Sequence, residues 1–242
     1  MEKHTVSASL TDNTKYMNRA LPVKKSFDII ERNLIIGGQN SAFYFIDGFT
    51  KDETMLKLMD SFLNISADDM PEDATSFSTS CIPYVEVDIL GDFDSIFKNL
   101  LSGVTCLFID GYEAAIAIDC RTYPSRIIEE PDKDKSLRGS RDGFVETIVF
   151  NTALMRRRIR DPHLIMEMYE AGTSTRTDVA LCYMSDRVDR ELLTTIQNKL
   201  EESKSQDLKM SQQSLAESLF QRKWYNPFPK YKFTERPDTA CA

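Results

Sequence analysis

The sequence predicts an α/β protein, and three observations carry that expectation. Apolar runs of strand length alternate with amphipathic helical stretches in both halves of the chain. Two glycine turns sit between such runs and specify hairpins, and a charged stretch rich in Pro and Gly at 121–143 separates the halves.

Residues 1–25 carry Lys3, Lys15, Arg19, Lys24 and Lys25 against Glu2 and Asp12, with a polar helical stretch ending before Pro22. A mobile arm is expected there, and the fold begins at about residue 26. The runs Phe27–Ile30 and Leu34–Ile36 precede Gly37-Gly38, after which Ala42–Ile46 has the character of a buried strand; a hairpin follows from this. Met55, Leu56, Met59, Phe62 and Leu63 form a helical stripe, for which Thr50 and Glu53 supply the spacing of a capping box. Residues 66–80 are polar and read as loop. Between Asp47 and Asp94 twelve acids face two lysines, a local net charge of −10, consistent with a solvated face or an acidic docking surface.

From Tyr84 to Ile89 apolar and acidic residues alternate as in a strand, 92–101 is a short helix, and Val104–Ile109 is a buried strand. Asp110-Gly111 then turns the chain, so that Ala114–Ile118 returns antiparallel. Beyond the 121–143 connection, Val145, Ile148, Val149, Thr152, Met155 and Ile159 follow helical spacing. Asp161 and Pro162 have the pattern of a helix start, which predicts a second helix through Leu164, Ile165, Met168 and Tyr169 to Gly172, with His163 in its first turn. Thr177–Met184 reads as a strand, and Ser185 as the cap of a helix carrying Leu192, Leu193, Ile196 and Leu200. Another amphipathic segment spans Leu215–Phe220. The expected organisation is thus an arm (1–25), a first lobe (26–120), a connection (121–143), a second lobe (144–221) and a basic aromatic tail (222–242).

Composition excludes several function classes. The 242 residues, 41% of them hydrophobic, can fill a core without metals or staples. A net charge of −8 argues against nucleic-acid binding, which draws its affinity from phosphate neutralisation. Cys81, Cys106, Cys120, Cys182 and Cys241 are scattered and odd in number, suggesting neither zinc nor a disulfide framework and favouring a reducing compartment. His4 and His163 are the only histidines, too few for a His-based metal site or a Ser-His-Asp hydrolase. Paired carboxylates such as Asp88 with Asp92, or Asp110 with Asp119, lack a nucleophile or metal cluster, so no enzyme and no cofactor is expected. No run of about 18 apolar residues and no signal peptide is present.

Three ordered blocks carry a family resemblance: Leu107–Gly111 with Ala117–Arg121; Ile128–Pro131 with Arg138-Gly139, Arg141–Glu146 and Asn151 through Arg156–Pro162; and Tyr231–Asp238. Together they resemble the A subunit of GerA-family spore germination receptors over roughly residues 25–238. Cys120 stands where the family often has a less reactive residue. The resemblance implies two α/β lobes with mixed sheets, reminiscent of bilobed substrate-binding proteins. It further implies a membrane region beyond the chain, association with the receptor's B and C subunits, self-association of the full-length subunit, and residence in the spore inner membrane with this domain soluble on the core side. Nutrient recognition in the family is more usually assigned to the B partner.

Candidate site residues follow from charge. Arg138, Gly139 and Arg141 could hold an anion or a partner carboxylate at a helix entry, or could pair with Glu129, Glu130 or Asp142. Arg156, Arg157, Arg158 and Arg160 step around a helix at about 100° each and cannot share one face, which favours internal pairing or a subunit interface over a phosphate site. From Arg222 to Arg236 the tail has Arg222, Lys223, Lys230, Lys232 and Arg236 against Glu235 among aromatics, suited to a membrane interface or to packing on a core.

Overall fold

The computed structural model describes residues 4–50, 52–84, 86–122, 143–204, 215, 216, 219 and 231–242. The first unit is a five-stranded sheet of β1 (Ile29–Ile36), β2 (Gln39–Ile46), β3 (Val87–Leu90), β4 (Thr105–Ile109) and β5 (Ala115–Ile118), in the order β1-β2-β4-β5-β3. The α/β class is therefore the one the sequence predicts. All strand pairs among the described residues are antiparallel, however, where mixed sheets are expected. Short local turns account for much of this: β1–β2 closes through Gly37-Gly38 and β4–β5 through Asp110-Gly111, with Gly111 at φ +90.

Helices cover both faces of this sheet. α2 (Asp52–Leu63) and α3 (Ala74–Ser80) seal one face with Leu58, Phe62 and Phe77 against Phe43, Leu107, Ile116 and Ile118. α1 (Leu10–Ala20) and α4 (Phe93–Leu101) seal the other with Met17, Phe93, Ile96 and Leu100 against Tyr44, Cys106 and Phe108. Because both faces are buried, alternate residues of β4 feed opposite cores and the strand reads as a continuous apolar run.

Several local expectations are corrected. Where a mobile arm is expected, Val6 and Met17 lie in the core, Val6 N–H donates to Gly91 C=O at 3.0 Å, and Asp110 Oδ1 accepts from Leu10 N–H at 2.9 Å. The Thr50 hydroxyl does not cap α2; it lies buried and has no hydrogen-bond partner among the described residues. The stretch 66–80 contains a 3-10 turn, Ala67–Asp69, and α3, whose cap is the Asp73 carboxylate accepting from Ser76 N–H at 2.8 Å.

The second unit begins with α5 (Ile148–Arg158), followed by a hairpin of β6 (Leu164–Ala171) and β7 (Thr177–Met184). The helix expected after Pro162 is thus a strand. Asp161 does accept from His163 N–H at 2.8 Å, but its turn feeds β6. Met166, outside the helical stripe, is wholly buried, and from Glu167 to Glu170 half-buried and exposed positions alternate with period two. α6 (Arg190–Ser203) packs on β6 and is capped by Asp189, accepting from Glu191 and Leu192 N–H, rather than by Ser185. A last turn, α7 (Pro237–Ala240), lies against α5.

Candidate functional site

The two units meet at residues 26–28, just before β1. Arg156 on α5 is completely buried and forms an ion pair with Asp28, itself 1% exposed, through Nε to Oδ2 at 2.7 Å and Nη2 to Oδ1 at 3.2 Å. The remaining guanidinium donors reach the carbonyls of Asp161 at 3.0 Å and Leu164 at 2.9 Å, fixing the turn into β6. Ser26 completes the cluster: its Oγ donates to Asp28 Oδ1 at 2.5 Å and accepts Met166 N–H at 3.0 Å, while Phe27 N–H donates to Met166 C=O at 3.0 Å. One fork therefore holds α5, the start of β6 and the start of β1 together.

Small residues permit this approach. Gly48 follows β2 at φ +79, and a Cβ there would stand 3.1 Å from Val149 and 3.2 Å from Ala153 of α5. Beside it, burial raises the Asp47 carboxyl above its ordinary value, with the negative charges of Asp28 and Asp52 adding to the effect.

Of the other sequence candidates, Arg157, Arg158 and Arg160 are exposed at the end of α5; Arg160 Nε donates to Arg157 C=O at 3.3 Å. They do not join Arg156, as the 100° steps require. Arg138, Gly139, Arg141, Glu129 and Glu130, along with residues 222–230 of the basic tail and residues 217, 218 and 220 of the Leu215–Phe220 segment, lie outside the described residues.

The described end of the tail packs on the second unit. Arg236 is 7% exposed and grips Asp238 with two bonds, at 3.1 and 2.6 Å, and Phe144 N–H donates to Glu235 C=O at 2.8 Å. Asn151 folds back on Val145, accepting its N–H at 2.7 Å and donating to its carbonyl at 2.6 Å. A cavity of about 720 Å³ lies between α5 and β7, lined by Val145, Met155, Val179, Cys182 and Glu235 among others. On β6 and β7, burial pushes the Glu167 carboxyl upward, but hydrogen bonds from Tyr169, Tyr183 and Gln197, each 2.7 Å, hold it below its ordinary value.

Burial pushes the Cys106 and Cys182 thiols up to about 12, away from the thiolate a nucleophile needs. Among the described residues no group of three or more His, Cys, Asp or Glu could hold a metal, and no helix is long and apolar enough to cross a membrane.

Residues 15–242 match the family described as Bacillus/Clostridium GerA spore germination protein. The chain belongs to the GerA family. It is 32% identical over 241 residues to Stage V sporulation protein AF of Bacillus subtilis (strain 168), an alignment covering 99% of this chain and 49% of that protein. To Spore germination protein KA of the same organism it is 28% identical over 240 residues, covering 98% and 43%. The N-terminal domain of the A subunit of the Bacillus megaterium spore germinant receptor GerK3 shares the fold, with a TM-score of 0.68 at 21% identity over 100% of this chain and 89% of that one. This GerA-family chain spans about half the length of the curated relatives it matches.

Asp28 and Ser26 were not candidates from sequence. The available signal was an acid inside the apolar run from Phe27 to Ile30, since a carboxylate in such a setting requires a partner once buried.

Proposed function

We propose that this chain is the soluble N-terminal domain of a nutrient germinant receptor A subunit, acting in signal transduction and receptor assembly during spore germination and carrying out no bond-making of its own. Family membership supports the setting, and the Asp28–Arg156 pair is the observation that carries the relay. A wholly desolvated fork joining two units holds one discrete arrangement, so a ligand or partner that prefers another arrangement of one unit must act on both. The partners in this reading are the receptor's B and C subunits and further copies of the full-length A subunit. The site of action is the spore inner membrane, with this domain facing the spore core, as its unpaired cysteines favour.

The test places Arg156→Lys in the full-length protein in spores, keeping the charge and removing the fork. Nutrient-triggered ion release is expected to slow severalfold while immunoblots show a normal subunit level. Normal germination at normal receptor level would remove the relay role. In the connection, Arg138→Ala with Arg141→Ala is expected to impair germination or lower receptor level.

A second reading, direct binding of a small nutrient between the units, is favoured by a hollow of about 490 Å³ with Lys24 and Lys25 on one side and Glu167, Tyr169 and Gln197 on the other. Titrating germinant sugars or amino acids against the chain by NMR separates the two readings. Saturable shifts on both sides of the hollow support the second, and their absence leaves the relay alone.

A further inference from the structure

Helix α2 buries Leu58 and Phe62 and packs Met55 and Met59 partly against the first sheet. Its Leu56 and Leu63 do the opposite, at 70% and 58% exposed. Seven residues apart, they lie on one line along the helix. Asp52, Glu53 and Asp60, all exposed, flank that line, and the following 3-10 turn adds exposed Asp68 and Asp69 beyond the Leu63 end. Lys57 is the helix's single cation, about 100° round from Leu56. The last turn of α2 holds no basic residue, so the negative end of the helix dipole is not offset from within the helix.

We propose that this face docks a cationic amphipathic helix belonging to another protein chain. The two leucines seat apolar anchors spaced one and two turns apart, and flanking Lys or Arg residues meet Glu53, Asp60 and the carbonyl end of α2. Charge decides among the occupants. The acids repel an anionic membrane surface, and a second copy presenting the same face would set like charges against each other. A helix with cations beside its apolar stripe satisfies both features of the surface at once. The proposal deepens the assembly reading and rests on it for the existence of a partner, but it involves no residue of the Asp28–Arg156 junction, so either can fail alone.

The experiment titrates the isotope-labelled chain with a synthetic helix of leucine and lysine in heptad pattern, following amide shifts by NMR at about 0.15 M salt. Saturable shifts confined to residues 52–69 are expected. Affinity should fall about tenfold in Leu56→Ser/Leu63→Ser and about tenfold in Glu53→Gln/Asp60→Asn. All four side chains are exposed, so the remaining amide spectrum should stay in place and report an intact fold. Binding unaltered by the leucine changes would reduce the surface to a counter-ion cloud and overturn the proposal. So would shifts centred elsewhere, no binding, the same shifts with anionic vesicles, or self-association in sedimentation that the leucine changes abolish.

Discussion

The two units solve the burial problem differently. In the first, a five-stranded sheet has helices on both faces and two apolar clusters, one around Phe43, Phe62 and Phe77 and the other around Met17, Tyr44 and Phe108. In the second, a two-stranded hairpin with α5 and α6 has, among the described residues, few fully buried apolar side chains, including Leu164, Met166 and Leu200. A two-stranded hairpin is marginal in water without further packing. The second unit therefore leans on the first, and the Asp28–Arg156 fork is where it leans. Its polar contacts, including those of Arg236 and Glu167, supplement the smaller core found among its described residues.

The sharpest way to break that comparison is to remove one member of the fork. Asp28→Ala leaves Arg156 buried without its counter-charge, which should cost about 3–5 kcal/mol in thermal or denaturant unfolding. Amide exchange should rise first in β6 and β7, while β4 and β5 stay protected. Phe62→Ala should cost about 3–5 kcal/mol through a cavity in the first unit, but with protection falling throughout the chain, because the second unit cannot stand once the first loosens. Equal exchange profiles for the two variants would mean that the two units open as one cooperative block, with no separate second unit leaning on the first.

A smaller effect comes from the fit around the fork. Gly48→Ala forces a side chain into a left-handed backbone at φ +79 and sets a methyl group 3.1 Å from Val149. The expected loss is about 1–3 kcal/mol. It should combine with Asp28→Ala to less than the sum, since both changes open one seam. Additivity in a double-mutant cycle would show that Gly48 belongs to the first unit's own turn and not to the junction.

What the sequence made legible follows the same division. The hairpins at Gly37-Gly38 and Asp110-Gly111 and the helical stripe of Phe62 were readable because each signal sits within a few residues of the structure it specifies. The junction was not, because Asp28 and Arg156 are 128 residues apart, and nothing local separates Arg156 from Arg157, Arg158 and Arg160. Only burial distinguishes it. In sequence β6 has the pattern of a helix for a related reason: Leu164, Ile165, Met168 and Tyr169 fit a helical face, and pairing with β7 through Leu164 opposite Met184 overrides that fit. Arg236 shows the same limit, since in sequence it belongs to a cationic tail and in the structure it is buried against Asp238.

The smallest expected effect tests whether polar contacts sustain the second unit by themselves. Glu167 accepts hydrogen bonds from two tyrosines and a glutamine that favour its ionised form, so its folded value lies below its unfolded one. Its contribution is accordingly present in full above the unfolded carboxylate range and lost as pH falls through the folded value. Acid should therefore loosen β6, β7 and α6 before the five-stranded sheet, seen as earlier amide exchange at Tyr169 and Tyr183 than at Phe108. Glu167→Gln should flatten that part of the pH profile and leave the exchange of β4 unchanged. If both units respond to acid together, or if the variant titrates as the native chain does, the second unit draws its order from the seam with the first and not from its own hydrogen bonds.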